Sequence, residues 1–301
     1  MVRSWISLAV LFVVVMALAL WVAYRPKTAD TEAHAISILT ASQVTRIRFE
    51  RTGPAGTSVN AAPSVSKRPV ASSAILERRP DGWHMIQPIF ARADSFHVER
   101  LLALLDERSV ARYPAKDLER YGLDQPIARL TLNDETFSFG AVNTMTREQY
   151  VLAHDVVYAI PLSQRTALPR HAMSLISRAL FAPTEIPVRF QLETFTARLE
   201  DGRWIFDGPG EDPGPDERNA WLAAWRQANA VEARPYEGGK PLANVDVVLQ
   251  DGRTIGLGVL QREPEFVLVR GDENIEYQFP AEVGRRLLRP PGVGGNERVN
   301  R

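Results

Sequence analysis

The stretch at 75–88, "ILERRPDGWHMIQP", decides how this chain is read, because "FTARLEDGRWIFDG" at 195–208 repeats its signals. Each has a first run of residues, an Asp-Gly turn, and a second run with a tryptophan at its first or second position. Asp-Gly between two such runs is a strong hairpin signal. Working outward, the order of features stays the same in both places. The first copy goes on through an apolar-periodic helix to "SVARYP" (109–114), "ARLTLNDETFSFG" (128–140) and "QYVLAHDVVYAIP" (149–161). The second goes on through a helix to "AVEARPY" (230–236), "VDVVLQDGRTIGLG" (245–258) and "EFVLVRGDENIEYQFP" (265–280). Trp83 and Trp204 are 121 positions apart, as are Val110 and Val231; Gly140 and Gly258 are 118 apart. Small drifts of this kind are what loop insertions produce. The pattern predicts an α+β fold, with two tandem copies of a small antiparallel sheet covered by a helix.

The first helix is expected to start at Ala93-Asp94-Ser95, with Ser95 as cap, and to bury Val98, Leu101, Leu102 and Leu105. The second is expected over 216–229 with Trp221, Leu222 and Trp225 inward. Further helices are expected near 162–168 and 171–181, and a terminal one in which Gly284 costs stability. Residues 44–51 read as a strand paired with 74–79. Residues 53–73 lack an apolar period and read as a flexible insertion, and 290–301 as a disordered tail. The domain plan is therefore an anchor at 1–27, a tether with first strand and loop at 28–73, a first repeat at 74–183, a second at 184–289, and the tail.

The anchor expectation rests on residues 5–24, twenty positions without a charge, bounded by Arg3 on one side and Arg25 and Lys27 on the other. At 1.5 Å per residue such a helix crosses a bilayer core. Trp5, Trp21 and Tyr24 stand near its ends, where amphipathic rings favour the headgroup level. The expectation is a single-pass inner-membrane protein with a periplasmic body. A signal peptide cut near Ala19, after Ala17-Leu18-Ala19, is the alternative. With no cysteine there is no lipoprotein attachment point and no disulfide.

Chemistry is hard to find in this chain. The five histidines, at 34, 84, 97, 154 and 171, show no metal-ligand spacing. Asp94, Ser95 and His97 are sequence neighbours, whereas a hydrolytic triad faces its members from separate elements. Glu211, Asp212, Asp216 and Glu217 cluster by the second helix, where Asp216 and Glu217 complement its dipole. Gly208, Gly210 and Gly214 alternate with prolines and acids, unlike a phosphate-cradling loop. No catalytic, cofactor-binding or metal-binding residue is assigned. The formal net charge of 0, from 36 basic and 36 acidic residues, argues against nucleic acid as a partner.

The string "YGLDQP" at 121–126, with "DGWHMIQP" before it and "YVLAHDVVYAIP" after it, resembles the domain-of-unknown-function family 4340. The second copy lacks that string and has "EGGKPLANVD" in its place. The resemblance implies a bacterial protein, often anchored by one N-terminal helix and often found beside ABC-type transport genes or gliding-related proteins. It implies no catalytic residues. In physical terms Tyr121 is expected to pack against the helix it ends, Gly122 to take positive φ, and Leu123 to re-enter the core. The expected function is non-enzymatic: an accessory or interaction module whose partner is another envelope or membrane protein, with a transporter component in view. An envelope enzyme acting on glycan or peptide, or a carrier of a small or lipidic ligand, stands as the alternative.

Overall fold

A computed structural model describes residue 16 and residues 33–52, 73–162, 168–209 and 212–291. The described residues are mostly β, with 45% in strands, arranged in three sheets, and 19% in helices. This corrects the α+β expectation. The helices are too few and too short to form a layer, and the sheets are larger than small domains would need.

The strands of the first half are β1 (His34–Ala35), β2 (Arg46–Arg51), β3 (Ser73–Arg79), β4 (Gly82–Gln87), β5 (Ala91–Arg92), β6 (Arg108–Ser109), β7 (Arg112–Pro114), β8 (Ala128–Leu132), β9 (Glu135–Asn143), β10 (Glu148–Ala153) and β11 (Val156–Pro161). Those of the second half are β12 (Pro187–Gln191), β13 (Thr196–Glu200), β14 (Arg203–Asp207), β15 (Glu232–Pro235), β16 (Ala243–Leu249), β17 (Thr254–Gln261), β18 (Glu265–Arg270) and β19 (Ile275–Pro280). The helices are α1 (Ser95–Leu102), α2 (Pro215–Arg226) and α3 (Ala281–Leu288).

The first sheet has nine strands in the order β5-β4-β3-β2-β8-β9-β10-β11-β7, and the second has eight in the order β14-β13-β12-β16-β17-β18-β19-β15. Without β5 the two orders coincide strand for strand. Trp83 and Trp204 are each the second residue of the matching strands β4 and β14. The match extends upstream of the sequence repeat. Ile36 N–H donates to Glu107 O at 3.4 Å as Leu180 N–H donates to Ala228 O at 2.9 Å. Each unit thus begins with a short lead-in segment, near 34 and near 178, that pairs with the exit of its own helix.

Alternation builds the faces. Along β2, Ile47 and Phe49 are buried and Arg46 and Arg48 exposed; along β16, Val245, Val247 and Leu249 are buried and Asn244 and Asp246 exposed. Along these central strands one face is packed and the other wetted, as antiparallel sheets allow, whereas β11, β18 and β19 are buried on both faces. The packed faces are not separate. Most of the buried apolar residues form one connected cluster from Ile36 to Leu287 that includes Leu175, Ile176, Leu180 and Phe181 between the sheets.

Local expectations meet specific outcomes. The cap of α1 is Asp94, whose Oδ1 accepts His97 N–H at 3.0 Å; Ser95 is the first helical residue. Residues 171–181 form only a 3-10 turn at Ala172–Leu175 and then run extended, with isolated bridges Ala93–Ile176 and Ala179–Asn229. Gly284 is buried in α3, and a Cβ there would lie 2.3 Å from Phe266 Cγ. The insertion at 53–73 and the tail at 290–301 fall almost wholly outside the described residues, as does most of the helix at 162–168. The span expected at 5–24 also lies outside them apart from Met16, which is helical and 47% exposed. Among the described residues no helix is long and apolar enough to cross a membrane. The single-pass inner-membrane placement with a periplasmic body therefore gains no spanning helix from the structure and is not retained.

Candidate functional site

The densest group of ionisable side chains lies where the two sheets meet, around the extended segment 175–185. That segment is tied to the first unit by Asp94 N–H to Leu175 O and by Ser177 N–H to Arg92 O, both 2.8 Å. It is tied to the second by Leu180 N–H to Ala228 O and by Ala230 N–H to Arg178 O at 2.8 Å. It works as a strap with one sheet on each side.

Two arginines close on this strap from opposite directions. Arg92, on β5 at the edge of the first sheet, donates from Nη2 to Ala179 O at 2.8 Å, Leu180 O at 3.2 Å and Tyr277 Oη at 3.1 Å, and pairs through Nε with Glu273. Arg270, the last residue of β18, donates to the same Leu180 O at 2.7 Å. It also holds both carboxylate oxygens of Glu185, at 2.5 and 2.8 Å, and both of Asp272, at 2.9 Å each. Tyr277 Oη donates to Glu273 Oε2 at 2.5 Å. Arg270 is 1% exposed. A buried guanidinium is tolerated only when its fork is filled, and bidentate carboxylates fill it.

The electrostatics follow from that geometry. For Glu185, burial disfavours the charge, yet the Arg270 hydrogen bonds and the Ala182 N–H outweigh it and hold the carboxyl below its ordinary range. Asp272 is likewise held low by Arg270 against the cost of burial. Burial and the neighbouring Glu273 push the Tyr277 phenol well above its ordinary value. Burial works against the charge on Arg270 and on Arg92, but their acidic partners keep both guanidiniums firmly protonated. Chemically, this set is saturated. Each carboxylate that would act as a base already accepts from an arginine, and the phenol donates to a carboxylate. The arrangement fixes geometry.

The residues weighed from sequence fall elsewhere. His84 stacks on Phe90 at 5.4 Å, while His97 Nδ1 lies 3.1 Å from the capping Asp94, so the hairpin histidine and the helix histidine serve different neighbours. Ser95 has no part in a triad. Asp212 pairs with Arg218 at 2.5 Å, and Glu217 accepts Gly214 N–H at 2.9 Å. Among the described residues, no group of three or more His, Cys, Asp or Glu stands close enough to hold a metal ion. Trp221 and Trp225 are 3% and 0% exposed, packed with Phe190 at 5.1 Å each, which makes them core and not a docking stripe. Tyr121 packs on Tyr113 at 5.6 Å and Tyr150 at 4.9 Å. Gly122 has φ 63° and Leu123 is buried, so this surface segment covers the outer side of β9 and β10. Gly140 admits it: a Cβ there would lie 2.3 Å from Tyr121 O. In the second unit Gly258 admits Pro241 in the same manner. A cavity of about 50 Å³ beside Leu192, Asn244 and Arg262 is far below the roughly 300–1,000 Å³ of a small-molecule site.

Sequence reasoning missed the junction. One signal for it was present. Arg270 follows the apolar run Phe266–Val269 in the strand "EFVLVR", and "GDEN" comes next, where the first copy has "VLA" and the two-residue turn His154-Asp155.

A family model described as Domain of unknown function (DUF4340) matches residues 83–236, just over half of the chain. That span runs from the first hairpin through the strap to the exit of α2. No curated protein and no solved structure matches.

Proposed function

We propose that this chain, which belongs to the DUF4340 family, is a non-catalytic interaction module that engages a protein partner through its wetted sheet faces. The observation that carries the reading is the saturated junction. The densest ionisable cluster among the described residues is spent on holding two like sheets together, with no acid, base or nucleophile left poised for a reaction. A rigid pair of sheets displays two extended polar faces in a fixed relation. That suits recognition of a folded partner, which binds best to surfaces already in place. The transport context implied by the family resemblance makes a transporter component the first partner to test.

The test is site-specific photo-cross-linking in the source cells, with the photoreactive residue at Arg129 on the first sheet or Gln191 on the second. Both positions are exposed. The expected result is an adduct with one defined protein from at least one face, absent when the reactive residue replaces buried Phe49. Adducts that are the same diffuse set from both exposed positions would overturn the reading.

A further inference from the structure

We propose that the Arg92–Glu273 pair, closed over Leu180 O and Tyr277, is a latch that sets the orientation of the second sheet relative to the first. The inference goes beyond the interaction-module reading and does not depend on it.

Three observations carry it. The first is position. Arg92 belongs to β5, a strand of the first sheet without a counterpart among the described residues of the second, and Glu273 belongs to the turn between β18 and β19 of the second sheet. The contact therefore joins one unit to the other, whereas Arg270–Glu185 joins the second unit to its own lead-in. The second is asymmetry between the copies. The β10–β11 turn has two residues, His154 and Asp155, but the β18–β19 turn has four, Gly271 to Asn274, two of them acidic. At the matching strand end the first copy carries Val151 and Ala153, where the second carries Arg270. Tyr277, in contrast, has a counterpart: it pairs across to Ala233 as Tyr158 pairs to Arg112. The two units thus share their ladder and differ in charge and turn length where the second meets the first. The third is the shared acceptor. Both arginines donate to Leu180 O, so the strap cannot shift without breaking a bond on each side.

A latch of this kind contributes orientation more than stability, since a buried ion pair loses in desolvation much of what it gains in attraction. The strap backbone and the apolar cluster keep the sheets attached when it opens; what the latch removes is the hinge freedom of segment 175–185.

The experiment exploits the absence of native cysteine. Spin labels at Thr136→Cys and Asp246→Cys, both on solvated faces, report the distance between sheets in the full chain by pulsed dipolar spectroscopy. The unaltered latch should give one narrow distance distribution. Arg92→Ala and the near-isosteric Glu273→Gln should each broaden it roughly twofold or more, as hinge freedom returns. Distributions as narrow in both single variants as in the parent would overturn the proposal. If Arg92→Ala loses its far-ultraviolet β signal, Glu273→Gln decides alone, because it keeps the side-chain shape: broadening supports the latch and an unchanged width rejects it.

Discussion

Gly284 shows how a single residue's role can reverse between its local and its packed setting. In an isolated helix, replacing Gly by Ala gains about 0.8–1 kcal/mol of propensity. In this protein the added methyl would stand 2.3 Å from the Phe266 ring, inside the seam between α3 and β18. Over-packing of that kind costs about 1–3 kcal/mol. Gly284→Ala is therefore expected to lower the urea midpoint, and a raised midpoint would show that α3 can lift off the sheet without loss. Titration at the junction gives a second expectation. Glu185 and Asp272 are held below their usual values of 4.5 and 3.8 by Arg270. A carboxylate depressed in the folded state adds stability that is present above the unfolded value and is lost as pH falls through the folded one. Stability should then decline as pH drops below about 4.5. Glu185→Gln should decline less over that range, although it starts lower at pH 7. Parallel curves for parent and variant in acid would refute the assignment. Tyr277 works in the opposite direction: its raised phenol favours the protonated folded form, so stability should also fall as pH rises past about 10.

At the scale of elements, α1 and α2 do the same work by different means. Each lays an apolar stripe on its sheet, with Leu101 and Leu222 at the matching place and both buried. The α1 start depends on Asp94, which caps His97 N–H while its own N–H donates to the strap at Leu175 O. Asp94→Ala should cost about 0.5–2 kcal/mol, the usual loss of an N-cap side chain. Ser95→Ala should change stability by no more than a few tenths of a kcal/mol, as is usual for an exposed position without such a role. Thermal melting of the two variants distinguishes them, and an equal loss in both would return the cap to Ser95. The repeat was legible at this scale because each hairpin carries its own turn chemistry. Asp201 at φ 48° with Gly202 at φ 77°, and His154 and Asp155 at φ 49° and 56°, are left-handed positions that Asp, His and Gly occupy more readily than most residues.

For the whole molecule, the connected apolar cluster and the strap bind the two units into one folding body. Leu101→Ala in the first unit and Leu222→Ala in the second each remove a buried side chain worth about 2–5 kcal/mol. Because the cluster runs across the junction, both should shift a single calorimetric transition by similar amounts. Two resolved transitions, one moved by each variant, would mean that the cluster is connected in geometry but not in energy.

By itself the sequence determined the hairpins, the two packed helices, the succession of strands and helices along each repeat, and the absence of any motif that names a reaction. These depend on periods of two and of 3.6 and on turn residues, all contained within a dozen neighbouring positions. Only the tertiary structure decided that 171–181 is an extended strap and not a helix, that two-residue segments at His34–Ala35 and Ala91–Arg92 are strands, and that β12 completes the second sheet. Short segments of that kind have no period to read; what makes them strands is a partner far away in the chain. The same holds for Arg270. Its sequence neighbours place it at the exposed end of a strand, but Glu185, 85 residues earlier, and Leu180 on the strap fill its guanidinium fork. Burial of a charge is settled by the groups brought to meet it, and those come together only when the two sheets do.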